Sequence, residues 1–544
     1  MEQPSAAKHK PTILLALLAL CGIAFFCGLG RIGLLGPDEP RYAEVAREMF
    51  ASGDYISPRL CGCLWFEKPA LLYWMSAGSY HLLGVNEYAA RLPSALAATA
   101  AVFSLLWALG RSGLTRVAVA AAVVLATSAI FIGFARAATP DMVLTAAVTI
   151  ALLSGYLWAR ASGRARFLYW GVLWSATGVA VLAKGLVGVV LVVPVLAVHL
   201  SVIGKLKSIG WRECVGGLVI FLAVVSVWYG PVTARHGWEF LDEFFYKQHI
   251  RRYLTNRYHH PEPLYFFPMI ALAGAMPWTF FLVPAFARLR RLRPRVKPED
   301  SLVTLAWVWV AWPLIFFSLS VSKLPGYILP IFPALAIIIG VEVERFWSGD
   351  RGGSVKFAAW MTTLVLITIG AGLVVYSNLQ SLDASGWRLI LTVLPAATAV
   401  TAVALLATKR DRGFVAGVAA VMASVIVCAV VVLLPALSDG LTLKSFSLET
   451  AAQLRPGERI GFFLKSEYAP VFYSEGRVVC GVGEFDVLNA LNEETLVQAL
   501  ESEPTLVVIT GAQWRETVEN FRSLKSELIE EKGNTLAFRV ALRR

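Results

Sequence analysis

Gly185-Leu-Val-Gly-Val-Val-Leu-Val-Val-Pro-Val-Leu-Ala-Val-His-Leu-Ser-Val-Ile203 runs from one end to the other without a formal charge. A helix of about 18 residues or more crosses a hydrocarbon core of ~30 Å, and this stretch is long enough. Stretches of this kind recur from Thr12 to about Pro435. Spanning strands would be shorter and would alternate, so the runs predict a polytopic α-helical membrane protein. Composition agrees, because 57% of the 544 residues are hydrophobic and 16% are charged, against about 25% charge in an ordinary soluble domain.

Working outward from that run gives thirteen predicted spans: 12–30, 90–109, 116–135, 142–158, 167–183, 185–203, 214–231, 264–287, 302–320, 327–343, 357–376, 387–407 and 414–436. The first has no small-residue cleavage site close behind it and reads as a retained span rather than a signal peptide. The net charge of +12 belongs mostly to short loops between spans, not to one soluble basic face, which argues against a nucleic-acid partner. Arg111/Arg116, Arg160/Arg164/Arg166, Lys205/Lys207/Arg212, Arg288 to Lys297, Arg345/Arg351/Lys356 and Lys409/Arg410/Arg412 all fall on one side, which the positive-inside rule makes cytoplasmic.

The opposite, periplasmic side then receives the loops 31–89 and 232–263, the junction at Lys184 and the segment Ser322-Lys-Leu-Pro-Gly-Tyr327. It also receives the chain after the last span. Residues 1–436 form the membrane domain on this reading, and 437–544 form a small α/β domain. Short strands are predicted at 459–463, 477–480, 505–510 and 536–540, with helices at 484–500 and 512–521. Cys21, Cys27 and Cys428 fall inside spans as small apolar residues, and the spacing of Cys61 and Cys63 fits neither a zinc knuckle nor a comfortable disulfide.

Ionisable residues beside hydrocarbon are costly, which makes the outer ones candidates for function. Gly36-Pro-Asp-Glu-Pro-Arg-Tyr-Ala-Glu-Val-Ala-Arg-Glu48 places Asp38 directly after a span. Tyr42, Val45, Ala46 and Met49 then have the spacing of an interfacial helix. The bland alternative is an ordinary helix start, with Asp38 or Glu39 at the positive dipole end. Trp65-Phe-Glu-Lys-Pro-Ala-Leu-Leu-Tyr-Trp74 sets Glu67 and Lys68 among aromatics, suited to a lipid phosphate or a sugar face, or else to a surface ion pair in an aromatic belt. Ala135-Arg-Ala-Ala-Thr-Pro-Asp141 brings Asp141 to the membrane level of Asp38. Phe244 to Tyr253 gathers Lys247, His249, Arg251 and Arg252 as a possible phosphate clamp, with a generic anionic-lipid contact as the alternative. Glu67 with His249 is a two-ligand candidate for a divalent ion, zinc or magnesium, although a bridging hydrogen bond explains the pair as well. His259-His260 reads as a solvated loop pair.

Together, Gly36–Glu48, the Phe-Glu-Lys-Pro run at 66–69, Arg136 to Asp141 and Ser322-Lys-Leu-Pro-Gly-Tyr327 resemble the bacterial aminoarabinose lipid A transferases, relatives of protein mannosyltransferases and oligosaccharyltransferases. The resemblance implies a glycosyltransferase C-type fold. It also implies an undecaprenyl-phosphate donor of 4-amino-4-deoxy-L-arabinose, lipid A phosphate as acceptor, and a role in polymyxin resistance. Residue by residue, it implies that Asp38 and Asp141 are the essential acids, that Arg41 and Lys68 contact the donor phosphate with Tyr327 near it, and that Glu67 and His249 hold a metal. Lys184 and Arg252 are expected to help the phosphate contacts, and Glu39, Tyr42 and Trp65 to touch substrate. Trp65, where the family carries tyrosine, and the thiols of Cys61-Gly-Cys63 depart from the family pattern and bear on donor identity.

A lipid-linked sugar is already activated, so no nucleotide-binding motif is needed, and none is visible in the sequence. A transporter would place ionisable groups near the midplane and show repeated halves, whereas here they cluster at the outer ends of spans. A transferase of polyprenyl-linked mannose or glucose is the nearest competing reading, and a membrane protein without catalysis is a third.

Overall fold

A computed structural model of the chain describes residues 10–251, 262–292, 298–350, 352–379, 411–464, 467–479, 493–502 and 505–543. The predicted span 387–407, Arg252 and His259-His260 lie outside the described residues.

Among the described residues, seven helices are long and apolar enough to cross a membrane, or nine if two bent pairs each make one span. Three shorter apolar helices, Pro11–Phe26, Val187–Val202 and Gly413–Cys428, fall on predicted spans as well. The first bent pair, Thr115–Thr127 and Ala129–Ala135, turns through 66°. Ser128 supplies the break: its backbone is extended, and its hydroxyl donates back to the Val124 carbonyl at 2.7 Å. The second pair, Phe266–Gly274 and Thr279–Leu289, turns through 111°. Small residues let the helices pack closely where lipid offers no hydrophobic driving force between them. A Cβ on Gly340 would sit 2.8 Å from the Ala121 backbone, so that helix pair depends on glycine.

The first outer loop is largely structured. The helix Asp38–Ser52 buries Tyr42, Val45, Ala46 and Met49, as the spacing predicts, and ends on left-handed Gly53. After it comes a two-strand hairpin, β1 (Arg59–Leu60) and β2 (Cys63–Leu64), whose turn puts Cys61 at φ 53° and Gly62 at φ 77°. Glu48 holds that turn, accepting from the amides of Cys61 and Gly62. The helix Leu71–Leu83 then packs on Asp38–Ser52. The second predicted loop is a correction: residues from 232 continue the helix Trp211–Leu241, and the chain stays helical through Asp242–Arg251. Val232, Phe240 and Phe244 of this stretch are buried, which favours a packed helix over a solvated loop, while Trp238 and Tyr246 are exposed.

The C-terminal part has a four-stranded sheet in the order β3 (Arg459–Phe462), β4 (Leu506–Gly511), β6 (Thr535–Leu542), β5 (Leu524–Lys532). The β3–β4 pairing is parallel and the other two are antiparallel. Phe463, Leu496, Leu500, Val508, Phe521 and Phe538 form its separate core. The predicted strand 477–480 shrinks to Val478, bridging Ile460. The predicted helix 484–500 appears as Glu493–Ser502, its earlier part lying outside the described residues. The sheet carries an edge strand, β5, that the sequence reading did not include.

Candidate active site

Two helix starts and one close-packed turn meet in the candidate site. Asp38 opens the helix Asp38–Ser52, and Asp141 lies in the first turn of Pro140–Trp158, after Thr139 and Pro140. A helix N-terminus favours a carboxylate there, and proline fits the first helical position.

Glu39 holds the two starts together. Expected to touch substrate, it is instead buried away from the cavity and paired with Arg91, which donates to both of its oxygens at 2.9 and 2.7 Å. Its remaining capacity goes to the amides of Leu35 and Ala138, both at 2.7 Å. Arg91 completes its donors on the carbonyls of Leu29, Ile32 and Gly33. One buried ion pair therefore fixes the backbone three residues ahead of each acid. Arg91 was not singled out in the sequence, where a single basic residue near a span edge reads as a topology determinant.

Asp38, Tyr42, Glu67, Lys68, Asp141, Lys184 and Tyr327 line one cavity of about 530 Å³, as the sequence reading expects of one shared site. Lys184 pairs with Asp141, and its ammonium lies 4.9 Å from the Tyr327 ring centroid. Lys68 pairs with Glu67 at 2.8 Å, and Arg41 pairs with Asp38 and approaches Glu67 at 3.4 Å. Asp38, Glu67 and Asp141 thus pair with Arg41, Lys68 and Lys184. Glu67, Lys68, Asp141 and Lys184 are largely shielded from water, where such charges need partners to be tolerable.

Arg41 and Trp65 are displaced from their expected places. Neither lines the cavity; Arg41 stands behind Asp38 and Glu67, and Trp65 packs its ring 5.6 Å from the Arg41 guanidinium carbon. Burial disfavours the Arg41 cation, but Glu67, Tyr42 and Asp38 outweigh it and hold the pKa above its usual value. Burial, reinforced by Glu67 and Asp38, pushes the Tyr42 phenol up, so it remains a hydrogen-bond donor to the cavity.

Gly326, in Ser322-Lys-Leu-Pro-Gly-Tyr327, closes against Asp141. A Cβ there would lie 3.0 Å from Asp141 Cγ and Oδ1 and 2.9 Å from Phe134, so only glycine leaves that carboxylate its place. Lys323, the cation of that segment, is buried and donates to the Glu262 carbonyl at 2.7 Å instead of lining the cavity. The sequence reading missed the cavity's apolar flank of Leu144, Val187, Val190, Phe316 and Phe317. Nothing in a span distinguishes an apolar residue facing a cavity from one facing lipid. It also missed the hydroxyls of Thr139 and Ser322, which line the cavity and are buried without a hydrogen-bond partner.

Of the expected metal pair, Glu67 lines the cavity and pairs with Lys68 and Arg41, whereas the side chain of His249 lies outside the described residues. No group of three metal-ligating side chains occurs among the described residues.

The chain is similar to several characterised proteins. Residues 67–229 match the family model described as dolichyl-phosphate-mannose-protein mannosyltransferase. The undecaprenyl phosphate-alpha-4-amino-4-deoxy-L-arabinose arabinosyl transferase of Pectobacterium carotovorum is 31% identical over 68% of this chain and 66% of its own length, just under two thirds. The protein of the same description from Pectobacterium atrosepticum is 30% identical over 69% of this chain and 67% of its own length. The crystal structure of ArnT from Cupriavidus metallidurans bound to undecaprenyl phosphate superposes with a TM-score of 0.80 at 25% identity, covering 97% of this chain and 98% of that one. On these similarities the chain belongs to the undecaprenyl phosphate-alpha-4-amino-4-deoxy-L-arabinose arabinosyl transferase family.

Proposed function

We propose that this protein transfers 4-amino-4-deoxy-L-arabinose from undecaprenyl phosphate to a phosphate of lipid A, at the periplasmic face of the bacterial inner membrane and with inversion. We further propose thirteen spans in a membrane domain of residues 1–436, followed by a periplasmic domain of 437–544. The observation that carries the reading is one cavity lined both by charged pairs and by Leu144, Val187, Val190, Phe316 and Phe317. Such a cavity suits a substrate with an anionic head and a long apolar tail, and relatives of this chain are named for such a donor.

In this reading the donor phosphate takes a place between Lys68 and Lys184, competing with Glu67 and Asp141 for them, while Arg41, one layer back behind Asp38 and Glu67, attracts it in ground and transition states alike. An acceptor phosphate oxygen attacks the anomeric carbon, and the bond from that carbon to the donor phosphate breaks, its electron pair leaving with undecaprenyl phosphate. Charge grows on the leaving phosphate, and fixed cations stabilise that growth more than they stabilise the ground state. The attacking oxygen is already anionic and needs no base. Asp141, released from Lys184, and Asp38, which lines the same cavity, are placed to pair with the ammonium of the amino sugar and to orient it. One displacement by one oxygen gives inversion, since no covalent nucleophile takes part.

The experiment is sugar transfer by purified, folded Asp38→Ala and Lys68→Ala. Losses of about a hundredfold are expected, the scale of removing one electrostatic contact to the transition state. Turnover near wild type in both removes this site. The match of residues 67–229 to a mannosyltransferase family favours a second reading, transfer of a polyprenyl-linked hexose to protein or polysaccharide. The mass added to the acceptor separates a hexose from an aminopentose.

A further inference from the structure

Three aromatic rings surround the guanidinium of Arg41. Tyr42 lies 5.2 Å from its carbon and Trp65 lies 5.6 Å away, both from the first outer segment. The third ring comes from the C-terminal domain: Tyr468, 7% exposed and immediately ahead of the helix Ala469–Tyr473, lies 5.4 Å away.

That domain is anchored against the first outer segment at independent points. The Tyr473 hydroxyl accepts from the Leu34 amide at 2.9 Å and donates to Glu87 at 3.0 Å, and Lys444 pairs with the same Glu87 at 2.6 Å. Gly476, at φ 77°, packs so tightly on the Glu44–Arg47 pair that a Cβ would stand 2.7 Å from the Arg47 guanidinium. Tyr468 is therefore held in register with Arg41 by the docking of a whole domain.

We propose that Tyr468 is a positioning residue for Arg41, through which the C-terminal domain sets the affinity of the membrane site for a polyprenyl phosphate. The inference rests on the donor site proposed above. A guanidinium stacks on aromatic faces, and the attraction strengthens as water is excluded. With Asp38 and Glu67 at its tip and rings on its faces, Arg41 is confined to one position. Remove the Tyr468 ring, and one face of the guanidinium opens to water and to other rotamers. A phosphate contact that depends on this position then weakens before the chemistry does, because the interaction is present in ground and transition states alike.

The test uses full-length purified protein, with undecaprenyl phosphate as the binding probe and sugar transfer as the second readout. Tyr468→Leu keeps apolar bulk and loses the ring; Tyr468→Phe keeps the ring and loses the hydroxyl. Tyr468→Leu is expected to weaken undecaprenyl phosphate binding and raise donor KM by about three- to tenfold, with kcat within about twofold of wild type. Tyr468→Phe is expected to match wild type. Tyr468→Met replaces the leucine variant if that one does not fold. Wild-type affinity in the ringless variant, or a phenylalanine variant as weak as it, overturns the inference. Wild-type protein that neither binds undecaprenyl phosphate nor transfers sugar overturns the functional reading instead, so the two failures are told apart.

Discussion

Replacing Arg91 by methionine tests the structural core of the site. Glu39 is 4% exposed and Arg91 1%, so the substitution leaves a carboxylate in a dry place with only the Leu35 and Ala138 amides for company. Two charge-assisted bonds, at 2.9 and 2.7 Å, disappear, and the Leu29, Ile32 and Gly33 carbonyls lose their donor. Removing one partner of a buried pair costs about 3–5 kcal/mol, most of it from the stranded charge. Glu39→Gln removes that charge, so the double variant is expected to lose less than the sum of the singles, by a coupling of about 1–3 kcal/mol. Unfolding in detergent, followed by intrinsic fluorescence, gives the stability cycle, and sugar transfer on the same samples shows whether Asp38 and Asp141 have moved. Additive losses would refute the pairing. Glu39→Gln that raises KM at unchanged stability would return Glu39 to the substrate and refute the account of it as a strut.

Gly326→Ala is expected to push Asp141 or Phe134 aside, costing about 1–3 kcal/mol of stability as overpacking does and tenfold or more in kcat. An alanine variant with wild-type kcat would mean that the turn yields freely. Glu44 offers a pH test. Burial pushes its carboxyl up to about 7, against the lowering effect of Arg47 and with Glu48 and Glu475 adding to the rise. A carboxyl raised from 4.5 in this way stabilises the folded protein fully below the lower value, and the contribution is lost as pH rises through about 7. Thermal stability should therefore fall between pH 4.5 and about 7 more steeply in wild type than in Glu44→Gln. Equal slopes would remove Glu44 from the account.

The spans and the charged outer segments were legible because both signals are local. A run such as 185–203 carries its own length, Asp141 and Lys184 stand out against apolar neighbours, and Asp38 and Lys68 fall in short charged motifs beside apolar runs. What escaped depends on contacts between distant segments. Glu39 lies near the start of the first outer loop and Arg91 just past its end, and nothing in either segment names the other. The apolar flank of the cavity looks like any lipid-facing surface until the helices are packed. Strand β5, Leu524–Lys532, carries Glu527, Glu530 and Glu531 on a sheet edge, so its charges hide the alternation by which strands are read. Residues 232–251, helical with a break at Gly237, read as loop because their charges and aromatics interrupt the apolar run.

The central claim is that the charged lining of one cavity, at the outer rim of the membrane, moves an amino sugar from a lipid phosphate. The most direct measurement is a mass spectrum of lipid A after incubation with purified protein and undecaprenyl-phosphate aminoarabinose, beside the same reaction with Asp38→Ala. The account predicts an added aminopentose mass with wild type and its loss in the variant. Unmodified lipid A in both reactions, or equal modification in both, would contradict it.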